Sequence, residues 1–310
     1  TDDEPYSDPM PVVDIQQELM RRDRQQPVTL KFEFACGVSD LSGRRFQLVV
    51  EDPSSHELWY NEMRTPLNDA GPYWDAAFRR TDVTRYIRDG ANVVELRRPW
   101  QMDPRQRALL TGRAGGWAVR TAAPDTELEA VYLVGDFAVD FPEGTRQGDG
   151  GSRWMLGRPK LVDEPDRLTG TDLVRAGYPF FTGRLVLERE VTLAHAPREG
   201  AVLELPSFKA VTATVVVNGH EAGTVWQCPG EVSVDGLLEK VRNHVAVILT
   251  TGLRNFLGPH HHPAGELDRV TPQAYACRHG WLGRTPAHGC EPEAYNVINF
   301  GLDAEPVLRY

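Results

Sequence analysis

What the sequence has little of is informative. Four cysteines in 310 residues, Cys36, Cys228, Cys277 and Cys290, are too few for a disulfide scaffold of this size. No apolar run approaches the length that crosses a bilayer, so no membrane partner is expected. Lysine is scarce beside arginine, which reads as a compositional bias of the source. The formal net charge is −10, and an excess of acid repels phosphate backbones, so nucleic acid is not an expected partner. The G-x-S-x-G elbow, the P-loop and the dinucleotide fingerprint are all missing, and so is the strand–helix alternation of a barrel. No cofactor, metal ligand or catalytic residue is therefore assigned. The start, "TDDEPYSDPMPVVDIQ", is acidic and proline-rich and lacks an apolar leader, so it reads as a linker. The expectation is the C-terminal part of a longer protein, cytoplasmic or secreted.

What remains is an ordinary globular composition, 41% apolar and 25% charged, long enough for two domains. Pro11 suits a first helical position, and Val12, Ile15 and Leu19 fall on one helix face. The period then changes to two. In "VTLKFEF", Val28, Leu30, Phe32 and Phe34 alternate with polar residues, the pattern of a half-buried strand. "RFQLVVED", "ANVVELRR" and "ELEAVYLVGDFAV" (127–139) follow as strands. Turn formers then cluster in "DFPEGTRQGDGGS" and mark a boundary. A second β series begins with "GRLVLEREVTL", where Leu185, Leu187, Val191 and Leu193 share a face, and runs through "AVLELP", "VTATVVVNG" and "NHVAVILT" to "YNVINFGL". This predicts an all-β chain: a linker with one short helix over 1–26, and two antiparallel sandwiches over 27–145 and 146–310. The second sandwich would carry a long loop over 251–292.

The two halves repeat. "ELWYNE" leads to "TDVTRYIRDGANVVELRR", and "TVVVNGHEAG" leads to "EVSVDGLLEKVRNHVAVIL". Each runs strand, Asn-containing turn, loop, a second turn with Asn, and strand, so one β unit is used twice. The elements "GYPFFTG", "VVVNGHEAGTVW" and "VRNHVAVIL" resemble the jelly-roll, galactose-binding-like sugar-binding domain of family 2 glycoside hydrolases. With "YLVGDFAV" and "LRNFLGPHHH", the chain is similar to the C-terminal region of α-L-rhamnosidase-like enzymes. That resemblance implies carbohydrate and a catalytic domain of the parent protein as partners. The first half departs from the pattern, with Asn61-Glu62 where Asn-Gly is usual.

Three places carry candidate chemistry. Tyr73, Trp74 and Asp75 follow a Gly-Pro turn and offer an aromatic platform beside an acid, or else cover a core edge. The segment from 253 to 281 offers Arg254, Asn255, His260, His261, His262 and Trp281, rings and planar hydrogen-bonding groups of the kind that contact sugars. Consecutive histidines diverge, so they are poor co-ligands, and packing is the competing explanation. Further on, Cys277, His279, His288 and Cys290 form a near palindrome that matches a Cys₂His₂ zinc set, although C-x-H is tight; otherwise the cysteines are small buried residues. Asp136, Asp140 and Glu143 cluster near one strand end and read as solvated loop acids. Besides sugar binding or bracing, two alternatives stand: a glycoside-cleaving enzyme using the histidine loop, and a zinc-stabilised interaction module.

Overall fold

The computed structural model describes residues 8–22, 25–102, 104, 107–108, 128–278 and 289–310. The chain is all-β with a short N-terminal helix, as the periodicity predicts. It forms two compact units that interleave along the sequence. The first holds residues 1–144, 156–164 and 261–295, and the second holds 145–155, 165–260 and 296–310. The segment expected as one loop over 251–292 therefore runs through both.

The first unit has two sheets. One has six strands in the order Met63–Thr65, Glu57–Tyr60, Gly90–Trp100, Gln26–Cys36, Lys160–Val162 and Ala138–Asp140. Gln26–Cys36 pairs antiparallel with Gly90–Trp100 along its whole length and parallel with Lys160–Val162. The other sheet has four strands, Pro72–Tyr73, Asp75–Asp82, Phe46–Glu51 and Tyr132–Gly135. Period-two alternation places Val28, Leu30, Leu58, Tyr60, Val94 and Leu96 of the first sheet, and Phe46, Leu48 and Val50 of the second, in one core. Each such buried side chain stabilises the unit by roughly 1.5–3 kcal/mol before entropy is subtracted. Leu19 and Met20 of the helix Val12–Arg22 join this core.

One expected strand is two. "ELEAVYLVGDFAV" gives Tyr132–Gly135 in the four-stranded sheet and Ala138–Asp140 in the six-stranded one; residue 127 lies outside the described residues. The switch falls at Gly135, where a Cβ would lie 2.1 Å from the Arg45 carbonyl oxygen, and the Arg45 amide donates to Asp136 Oδ2 at 3.0 Å. Two backbones meet too closely there for the strand to run on.

In the second unit a four-stranded sheet runs Arg184–Thr192, Arg242–Thr250, Thr212–Val217 and His220–Val225, and a three-stranded one runs Gly230–Ser233, Val202–Leu205 and Val307–Arg309. Val215, Val217 and Leu249 from the first, with Leu203, Leu205 and Val232 from the second, are buried.

Both units carry the same corner. Asn61 and Asn218 have left-handed backbones (φ 47° and 50°) and are followed by Glu62 and Gly219, also left-handed (φ 69° and 82°). Two residues with positive φ form the tight hairpin turn whose twist matches the flanking strands. Asn61 Nδ2 donates to the Tyr86 carbonyl at 2.9 Å and to Asn92 Oδ1 at 3.1 Å, while its Oδ1 accepts the Val93 amide at 2.9 Å. Asn218 Nδ2 donates to the Leu237 carbonyl at 2.8 Å and to Asn243 Oδ1 at 2.9 Å, while its Oδ1 accepts the His244 amide at 2.9 Å. Glu62 thus occupies the tight turn in glycine's place.

Candidate functional site

The Tyr73–Trp74–Asp75 triplet is the tip of a hairpin on the first unit. Tyr73 pairs with Asp75, so Trp74 alone makes the turn, with φ 60°. Its indole is 60% exposed and meets the Tyr73 ring edge-on, centroids 6.2 Å apart. Asp75 Oδ1 accepts the Ala77 amide at 2.8 Å, a local turn that holds the strand start. The adjoining loop is braced. Arg79 forks onto Asp69, whose Oδ1 also accepts the Gly71 amide at 2.8 Å, and Arg80 donates to the Ala70 carbonyl at 3.2 Å. The Arg79 guanidinium holds the Asp69 carboxyl below the ordinary carboxylate range. Glu51 lies close enough for its carboxyl to be pushed up, first by burial and then by the charges of Asp75 and Asp52. The tip therefore presents an exposed indole between Tyr73 and Asp75.

The histidine segment is arranged differently. Asn255, 6% exposed, exchanges two hydrogen bonds with the backbone of Ile298, both at 2.8 Å. Arg254 Nη2 donates to Asn296 Oδ1 at 3.1 Å, and the Asn296 amide donates to the His260 carbonyl at 2.7 Å. His260 Nε2 stands 2.9 Å from the Asn255 carbonyl, and its ring packs edge-on to Phe180. A Cβ at Gly258 (φ 87°) would lie 3.0 Å from His260 Nδ1, so this corner needs glycine. Those residues belong to the second unit; His261 and His262 belong to the first. His261 Nδ1 faces the carbonyls of Ala294 (2.9 Å) and Glu291 (3.2 Å), so that nitrogen carries the proton. Its ring lies against Tyr295, and burial pulls its pKa down against the opposing pull of the two carbonyls. His262 Nδ1 accepts the Ala264 amide at 3.2 Å. The three histidines thus each face a different part of the chain.

Cys277 and Cys290 are joined in a disulfide, with Cα atoms 5.1 Å apart. This corrects the two sequence readings of that pair. Neither sulfur is a free buried thiol, and neither is the thiolate that a Cys₂His₂ zinc set requires. His279, His288 and Trp281 lie outside the described residues, and no cluster of metal-ligating side chains occurs among the described ones. The disulfide sits beside the buried carboxylate of Asp14 on the helix, which accepts the Cys277 amide at 2.8 Å and the Arg278 amide at 2.9 Å. Asp136 is occupied by Arg45, and Asp140 lies opposite Lys160 in the sheet.

No protein-family model matches the chain, and no curated protein matches it. Solved structures do. A rhamnosidase from Novosphingobium sp. PP1Y is 16% identical with a TM-score of 0.30, over 95% of this chain and 26% of that one. A β-glycosidase from Bacteroides vulgatus is 12% identical with a TM-score of 0.21, over 74% of this chain and 21% of that one. A Bifidobacterium dentium β-glucuronidase is 11% identical with a TM-score of 0.26, over 80% and 37%. The chain thus spans only about a fifth to two fifths of these structures.

Proposed function

We propose that the chain is a pair of ancillary, carbohydrate-associated β-sandwiches of the galactose-binding-like type in a glycoside-hydrolase-like protein, and that the Tyr73–Trp74–Asp75 tip binds sugar. The observation that carries this is Trp74. A left-handed backbone disfavours a bulky L-residue by about 1–2 kcal/mol, and exposing an indole forgoes its burial. Neither serves the core of the unit, whereas a fixed, solvent-facing indole stacks on the C–H face of a pyranose. Asp75 and Glu51 supply acceptors for hydroxyls at its edge. In this reading Arg254, Asn255, His260, His261 and His262 frame their loop through bonds to the chain's own backbone.

Calorimetric titration of the whole chain with a glycan panel tests this. Binding in the millimolar to micromolar range is expected, and Trp74→Ala should remove it at the tip. Equal affinity for every glycan in wild type and Trp74→Ala would sink the platform.

Bracing of a catalytic domain is the second reading, and Trp226 favours it. This indole is 76% exposed, and Val211 is 58% exposed. Val225 pairs with Ala213, so Trp226 and Val211 lie at the same end of their sheet. An exposed indole at a sheet end is a group that a neighbouring domain would cover.

A further inference from the structure

A cleft of about 220 Å³ opens on the second unit, lined by Thr171, Asp172, Lys209, Asn299 and Asp303 with the apolar side chains of Phe300 and Leu302. Its polar groups are fixed in advance. The guanidinium of Arg153, whose side chain is 13% exposed, donates from Nη2 to Asp172 Oδ2 at 2.9 Å and from Nε to Asn299 Oδ1 at 3.1 Å. With Asn299 Oδ1 taken as the acceptor, its amide nitrogen is aimed elsewhere as a donor and has no acceptor among the described residues. Asp172 holds a left-handed backbone, φ 46°, a conformation non-glycine residues adopt where the surroundings enforce it. Lys209 Nζ pairs with Asp303 Oδ1 at 3.3 Å, and Asp303 Oδ2 accepts from Ser207 Oγ at 2.9 Å. The Phe300 ring stacks on Phe181, centroids 5.8 Å apart.

The charges decide the ligand class. Asp172 is matched by Arg153 and Asp303 by Lys209, so the cleft favours neither anion nor cation. Fixed donors and acceptors of both kinds beside the apolar lining of Phe300 and Leu302 suit a compact, neutral, polyhydroxylated ring. We propose that this cleft is a second carbohydrate site, taking one neutral pyranose ring. It deepens the carbohydrate reading above and rests on it, but uses the other unit and none of the same residues.

The test is titration of the full chain in the Trp74→Ala background, followed by NMR, with neutral methyl hexopyranosides and with a methyl uronide as the anionic counterpart. The expected result is one saturable site for a neutral glycoside, Kd on the order of 1 mM, weakened roughly tenfold by Asn299→Ala and by Lys209→Met. Lys209 is nearly half exposed, so Lys209→Met decides the matter even where Asn299→Ala fails to fold. No binding in that background, binding of the uronide alone, or binding indifferent to Lys209→Met overturns the cleft. A second site present in wild type and lost in Trp74→Ala reports on the platform alone, so the two proposals fail separately.

Discussion

Asn61 and Asn218 are counterparts. Each starts a hairpin turn with a left-handed backbone, and each reaches the second asparagine of its own unit, Asn92 or Asn243, through the same side-chain nitrogen. The partner asparagines are 1% exposed, so the acceptors and donors they face are cut off from water. Asn61→Ala and Asn218→Ala should each destabilise the chain by about 3 kcal/mol, because buried backbone groups lose their partners. Denaturant unfolding checks this, and the two variants should fall within about 1 kcal/mol of each other.

The second turn residue differs between the copies, and the difference should be measurable. Glu62 has φ 69° where Gly219 has φ 82°. Glycine relieves a left-handed position of about 1–2 kcal/mol but returns about 0.5–1 kcal/mol of unfolded-state entropy. Glu62→Gly should therefore stabilise by roughly 0.5 kcal/mol, and Gly219→Ala should destabilise by roughly the same amount or more. A lowered melting temperature for Glu62→Gly would contradict this account of the turn.

Acid should act through His261. Burial lowers its pKa below the ordinary 6.5, so the folded chain holds the neutral ring while the unfolded chain takes up a proton. Stability from this residue is complete above the unfolded value and is lost as pH falls from 6.5 toward the folded value. His261→Asn, which keeps a donor but cannot titrate, should flatten the dependence of unfolding free energy on pH in that window. It should also cost about 1–2 kcal/mol at pH 8 through lost ring packing.

Reduction and chelation should have opposite outcomes. The Cys277–Cys290 disulfide closes a short loop, with a sequence separation of 13, and such a closure stabilises by about 3 kcal/mol. Reductant, or Cys277→Ser with Cys290→Ser, should lower the melting temperature. A chelator should leave it in place; a chelator-sensitive melt with zinc bound would restore the metal reading.

Much of the framework was legible. Alternation in "VTLKFEF" marks a strand whose Val28 and Leu30 are buried, and Val12, Ile15 and Leu19 mark the helix face that meets the core. The repeated asparagines declare the paired corner because only a few residue types suit left-handed turns. The rest depends on pairings that spacing does not encode. Asn255 meets Ile298 across 43 positions and His261 meets Ala294 across 33, so their roles as backbone partners could not be read locally. A C-x₁₂-C pair looks alike whether it holds a metal or itself. The cleft draws on Asp172, Lys209 and the Asn299–Asp303 segment, three separate stretches of sequence whose residues are each unremarkable alone.

The interleaving bears on how the chain could be inherited. Lys160–Val162 lies beside Gln26–Cys36, and Asp14 holds amides 263 and 264 positions away. A gene segment ending at residue 145 would encode the first corner but leave out a strand of its sheet, the disulfide and the partners of its helix. The chain is therefore a poor cassette when cut in half, and recombination that moves it between proteins should move it whole.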